Sequence, residues 1–159
     1  MLLIHKLLMM EIIMSNNIKA ITFWNFLKNN VVEIPIIQRD YAQGRLGKEH
    51  LRKVFLGNIK KALDTQTSLK LDFVYGATEN GNLNPFDGQQ RLTTLWLLHW
   101  YIALRSKKLN ELTNENGIDK EKVCDRLRKF TYETRISSRE FCKKLCDYTC
   151  FQNYESNNI

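Results

Sequence analysis

Apolar residues recur along this chain at two periods, and the changes from one period to the other mark out its elements. Thr22 stands ahead of Phe23, Trp24, Phe26 and Leu27, which is the pattern of an N-capped short helix with one apolar side. The β-branched run 31–37 predicts a strand. Pro35, which has no N–H to give a ladder, puts that strand at a sheet edge or ends it. Residues 38–47 are polar with two glycines and read as a loop. From 48 to 63, Leu51, Val54, Phe55, Ile59 and Leu63 recur at helical spacing. Over 71–77 the alternation sets Leu71, Phe73 and Tyr75 on one face of a strand. The stretch 79–82 carries the Asn-Gly signal of a tight hairpin turn, and 83–86 returns beside the first strand. Residues 92–104 are apolar on nearly every side, which predicts a helix buried all round at the centre of its domain. The polar 110–117 reads as a loop or linker. Two further helices are expected over 119–130 and 138–150, capped by Asp119 and Ser138, and the last has no later element to pack against.

Together these elements predict an α+β fold: a small mixed β-sheet, a hairpin leading into a buried central helix, and helices following. The division expected is an N-terminal extension at 1–17, a main domain at 18–108 and a helical segment at 119–151. The opening 1–14 is apolar around His5, Lys6 and Glu11. It is shorter than the roughly 20 apolar residues a membrane-spanning helix needs, and it lacks a small-residue cleavage site. Because Met14-Ser15-Asn16-Asn17 reads as an ordinary protein start, the first 13 residues are expected to be a start artefact or a short helix packed on the domain. No internal repeat and no low-complexity tract interrupts the pattern.

Composition narrows the class only a little. At 159 residues, 43% hydrophobic and 26% charged, the chain is an ordinary globular size and needs neither disulfides nor metal to build a core. Twenty-four Lys and Arg against 17 Asp and Glu leave +7, which favours polyanionic partners without choosing between nucleic acid and nucleotide phosphates. The cysteines are Cys124, Cys142, Cys146 and Cys150. Without a secretory signal they read as reduced thiols of a cytoplasmic protein. The last three fall on one helical stripe with Phe141, Leu145 and Thr149, an apolar face rather than the Cys-x-x-Cys or Cys/His spacing of a metal site.

The stretch that carries chemistry is Asp87-Gly88-Gln89-Gln90-Arg91, set between a strand and the buried helix. A helix start offers N–H groups without internal partners and about half a positive charge. Gly88 would let backbone approach a ligand, Arg91 would fork onto phosphate oxygens, Gln89 and Gln90 can donate or accept, and Thr93 and Thr94 add hydroxyls. That is the physics of a phosphate cradle. A purely structural alternative stands beside it: Asp87 as N-cap with Gln90 three residues on makes a capping box that needs no ligand. Capping leaves Gly88 unexplained, and equally a cation at the positive end of the dipole. A second cluster, Gln38-Arg39-Asp40-Tyr41 through Arg45, follows a strand end, where it forms either a ligand-contacting loop or a solvated loop whose arginines pair with Asp40 or Glu49.

Ile34-Pro35 with Gln38-Arg39-Asp40-Tyr41, followed by Asp87 through Leu95, resembles the N-terminal domain of GmrSD-type restriction endonucleases, related to the ParB/sulfiredoxin fold. Residues 130–135 and 138–141 are similar to a subgroup of that family, and the likeness runs from about Ile18 to Phe151. It implies a ParB/sulfiredoxin-like sheet over 18–108. It also implies a site for a nucleoside triphosphate with Mg2+, built from Asp87, Gly88, Gln89, Gln90 and Arg91 and faced by Gln38, Arg39 and Tyr41. Thr93 and Thr94 would join the nucleotide-binding set. In the catalytic roles that follow, Arg91 offsets phosphate charge, Asp87 positions metal or water, and Gln89 or Gln90 orients a water.

Family members usually continue into a nuclease domain with a His-Asn-His type metal site. His5, His50 and His99 are not clustered with a second histidine or cysteine, and His99 reads as a core residue, so neither a metal site nor a nuclease site is expected in this chain. The expected function is therefore a nucleotide-binding, NTP-hydrolysing regulatory domain of a modification-dependent restriction system without its nuclease. The expected partners are nucleotide, DNA and a separate nuclease subunit, with no membrane. The alternatives are a non-catalytic nucleotide sensor or DNA-binding module, and an inactive fragment of a disrupted gene.

Overall fold

The computed structural model describes residues 8–14, 17–35, 46–47, 49–79, 81–113, 121–133 and 136–147. Among them, six strands and five helices follow one another as β1 (Leu8–Met14), β2 (Asn17–Thr22), α1 (Phe23–Asn29), β3 (Val31–Ile34), α2 (Glu49–Asp64), β4 (Leu69–Glu79), β5 (Asn82–Pro85), α3 (Gln89–Arg105), α4 (Val123–Leu127), β6 (Phe130–Tyr132) and α5 (Ile136–Asp147). The strands form one mixed sheet in the order β2-β1-β4-β5-β3-β6. The fold class is α+β, as the pattern of periods predicts.

Local chemistry accounts for most of the boundaries. Thr22 caps α1 by accepting a hydrogen bond from the Asn25 N–H at 3.3 Å. β3 stops at Ile34, one residue before Pro35, although it lies inside the sheet between β5 and β6. Of the two positions proline permits, the strand end is the one used. The β4–β5 hairpin pairs Glu79 with Asn82, as the Asn-Gly signal requires.

Five expectations are corrected. The stretch 8–14 is a strand between β2 and β4, not a helix, so the sheet draws on residues ahead of the boundary expected at 18. Residues 119–130 do not form one helix: α4 is five residues long with Lys122 at its start and no side-chain cap, and Phe130 opens β6 beside β3. Phe130, Thr131 and Tyr132 are a β-branched residue between two aromatics, and that preference prevails over the helical spacing of the residues before it. Ser138 lies inside α5 rather than capping it. The last helix is also not unpartnered. Cys142, Leu145 and Cys146 are buried in the common core, and the Trp100 indole N–H of α3 donates to the Leu145 carbonyl at 2.8 Å. Phe141 is 55% exposed and so does not share that stripe, while Thr149 and Cys150 lie outside the described residues.

The fifth correction concerns β4. Opposite β1 the register passes from Met9↔Lys70 to Glu11↔Phe73, so Leu71 and Asp72 together face one position: a β-bulge. The extra residue exchanges the faces. Leu71 and Val74 are buried, whereas Phe73 and Tyr75 are exposed, and the three residues expected on one face divide between two.

The core runs beneath β3, β5 and β6. Val32, Ile34, Leu83, Phe130 and Tyr132 pack with Phe23, Trp24, Phe26 and Leu27 of α1 and Leu92, Leu95, Trp96 and Ala103 of α3. α3 is central but not buried all round, since Tyr101 stays 54% exposed. Trp96 donates its indole N–H to the Leu127 carbonyl at 2.8 Å and stacks on Phe130, tying α3 to α4 and β6. His99 is a core residue as expected. It is parallel to Trp24 at 5.9 Å between centroids, and its Nδ1 is 2.7 Å from the Leu95 carbonyl. Arg126 is fully buried without a signal in the local sequence. Its guanidinium lies 4.6 Å over the Trp24 ring and donates to Glu121 and Thr113.

Candidate functional site

Three parallel strands, β5, β3 and β6, end on the same edge of the sheet. β5 ends at Pro85 and leads through Phe86, Asp87 and Gly88 into α3; β3 ends at Ile34 and leads into 35–45. Ligands of open sheets are commonly held outside the carboxyl ends of parallel strands, where successive loops converge. Both motifs singled out in the sequence therefore leave from neighbouring strands on that edge. Gln38, Arg39 and Tyr41 themselves, with Asp40 and Arg45, lie outside the described residues.

The turn into α3 is held by backbone bonds. The N–H groups of Phe86 and Asp87 both donate to the Tyr75 carbonyl, at 2.8 and 3.1 Å. Gly88 is then the N-cap, left-handed at φ 81°, and its carbonyl accepts the first helical bond from Leu92 at 2.9 Å. No side chain caps the helix, so the Asp87–Gln90 capping box does not form. The fold itself supplies a reason for glycine at this position. A Cβ at Gly88 would lie 2.9 Å from Val74 Cγ2 and 3.4 Å from the Phe73 carbonyl oxygen, so the residue is small because the turn presses on β4.

Arg91 projects back across the turn. Its Nη1 donates to the Leu71 carbonyl at 3.1 Å and its Nη2 to Asp87 Oδ2 at 3.2 Å. Leu71 is in the bulge, so Arg91 braces the irregular part of β4 and holds an acid exposed at the helix start. Gln89 donates from Nε2 to the Pro85 carbonyl at 2.8 Å. Thr93 and Thr94 turn their hydroxyls back onto the carbonyls of Gln89 and Gln90, both at 2.9 Å, and Thr94 is buried. Thr93 Oγ1 also lies 3.1 Å from the Tyr132 hydroxyl of β6, which joins the helix start to the end of the third parallel strand.

Asp87, Gly88, Gln89 and Arg91 are thus brought together, with Arg91 at 21% side-chain exposure and Asp87 at 61%. Sequence reasoning did not single out Tyr132, which joins the edge through Thr93, or the exposed pair Tyr75 and Phe86, whose rings lie 5.8 Å apart beside the turn. The exchange of faces at the bulge concealed Tyr75. Among the described residues no group of three or more His, Cys, Asp or Glu gathers as a metal site. Burial pushes the Cys142 and Cys146 thiols up to about 12, which makes them poor nucleophiles at neutral pH. No helix among the described residues is long and apolar enough to cross a membrane.

Compared with known proteins, residues 22–159 match the family model described as the GmrSD restriction endonuclease, N-terminal domain. Neither a curated protein nor a solved structure matches the chain.

Proposed function

The chain belongs to the family of GmrSD restriction endonuclease N-terminal domains, and from that premise we propose that it is the nucleotide-binding regulatory part of a phage-defence restriction system. The observation that carries this reading is the common edge. The strand preceding the Gln38-Arg39-Tyr41 segment and the strand preceding Asp87 through Arg91 are parallel neighbours ending on the same side. A triphosphate at that edge meets the start of a 17-residue helix, whose N–H groups and dipole favour anions.

The residues suit Mg2+ brought in on the triphosphate better than an ion resident in the protein. Mg2+ takes one or two carboxylates plus phosphate oxygens and keeps several waters, and the turn offers one exposed carboxylate, Asp87. Arg91 keeps Nη1 on the Leu71 carbonyl and turns Nη2 from Asp87 to a phosphate oxygen, exchanging one charge-assisted bond for another. The freed Asp87 positions metal or water, and Gln89 or Gln90 orients a water. Gln38, Arg39 and Tyr41, in the segment that follows β3 in sequence, are the further nucleotide contacts of this proposal. Cleavage of DNA then belongs to a nuclease domain or subunit acting with this one.

Thermal unfolding of the full chain with Mg2+ and each of the four ribonucleoside triphosphates tests the proposal, with phosphate release followed in parallel. At ligand 100-fold above Kd the stabilisation is about 2.7 kcal/mol. Asp87→Asn and Gln90→Ala should reduce that shift while leaving ligand-free stability within about 0.5 kcal/mol of the parent. A chain that no triphosphate stabilises refutes the site. Stabilisation without phosphate release keeps the site and removes the hydrolysis.

A further inference from the structure

A cleft of about 440 Å3, sharing no lining residue with the α3 turn, opens between the end of α4, the edge strand β6 and α5. Leu127, Phe130 and Cys142 are buried at its base. The Cys142 thiol remains protonated, so the base carries no charge. The walls are different. Arg128, Arg139 and Lys143 line them, with Glu140 as the single carboxylate among the described residues and Thr131 as a hydroxyl.

The three cations are not equivalent. Arg128 is held between Asp125 and Asp147, at 2.5 and 2.6 Å, and its charge is largely offset. Arg139 and Lys143 are exposed, and neither makes an ion pair among the described residues; Arg139 Nη1 donates to the Glu133 carbonyl at 3.5 Å. They are four residues apart on α5, so they lie on one face about 6 Å apart along the helix axis. Like charges at that spacing repel. Two cations with no ion pair among the described residues and a hydroxyl around a concave wall are the recognition chemistry of phosphodiester oxygens. The two sit side by side along a helix rather than converging on one point, which suits successive phosphates of a strand better than one compact anion.

We propose that the cleft between β6 and α5 is a second anion site, distinct from the α3 turn, which receives the sugar–phosphate backbone of a DNA strand through Arg139 and Lys143 together with the Thr131 hydroxyl. It contacts backbone and not base edges, so it positions the duplex without reading its sequence.

The test is fluorescence anisotropy of a labelled DNA duplex titrated with the full chain over a salt series, without nucleotide. The variants are Arg139→Ala with Lys143→Ala, and a control of equal charge loss on an exposed helix elsewhere, Lys53→Ala with Lys61→Ala. Each lost phosphate contact flattens the plot of log affinity against log salt by about 0.9. The cleft double variant should therefore bind weaker and with a slope shallower by about 1.8, while the control follows the parent. Equal weakening in the two double variants would assign the effect to net charge and overturn the site. So would a parent that binds no duplex at low salt, or one whose Arg139 and Lys143 affect only mononucleotide binding. Triphosphate stabilisation measured on the same variants should be unchanged, so this proposal and the nucleotide proposal fail independently.

Discussion

At Gly88 two constraints meet in one residue. The backbone is left-handed at φ 81°, and the space where a Cβ would project is filled by Val74. A non-glycine residue in that conformation costs about 1–2 kcal/mol, and a methyl 2.9 Å from Val74 Cγ2 must push strand or turn aside. Gly88→Ala should accordingly destabilise the chain by about 2 kcal/mol, read as a lower urea midpoint at unchanged m. Adding Val74→Ala removes the methyl contact at the expense of a small cavity, so the second change should cost less on the Gly88→Ala background than on the parent. Fully additive effects would mean that the turn does not press on β4. The sequence marks this glycine but not its contact with β4, because close approach to a ligand and close approach to a neighbouring strand leave the same trace. Arg91 shows the same limit. Nothing local marks it as the brace of a bulge twenty positions earlier.

At the scale of elements, α5 shows how much a side chain in one helix decides about another. Its buried stripe, Cys142, Leu145 and Cys146, meets the core, and the Trp100 indole N–H donates to the Leu145 carbonyl near its end. Trp100→Phe keeps most of the ring and removes that donor, at a net cost of about 1 kcal/mol. Amide hydrogen exchange should then quicken in the last turn of α5 while β3 and β5 keep their protection. Uniform acceleration across the chain would show that α5 does not open as a separate unit. The sequence gives α1, α2, α3 and α5 within a few residues, because each carries a helical period over two turns or more. It does not give β6, whose three residues are too short for any period and depend on pairing with β3. The bulge in β4 was equally hidden, since alternation is a local signal and register is not. Of the candidate site, the helix start and its glycine were legible. The partnership of Thr93 with Tyr132 was not, because it exists only once β6 is placed beside β3.

For the molecule as a whole, folding buries two potentially cationic side chains against the same indole and treats them in opposite ways. Arg126 lies over Trp24, with the Glu121 carboxylate and the Thr113 hydroxyl as partners. His99, parallel to the same Trp24 ring, is pushed down to about 4 by desolvation, against the opposing pull of the Leu95 carbonyl. The folded chain therefore holds His99 neutral, whereas the unfolded chain protonates it near the ordinary histidine value of about 6.5. Between those two values the unfolded state binds more protons, so stability should fall as pH drops from about 6.5 to about 4 and this contribution should level off below. The full span of that loss is about 3 kcal/mol, at 1.36 kcal/mol per pH unit. His99→Phe, which keeps a ring between Phe23 and Trp24, removes the titrating group. Urea midpoints at pH 7.5, 6 and 5 should then fall less steeply for the variant than for the parent. Parallel profiles would mean that the folded core admits a proton at His99.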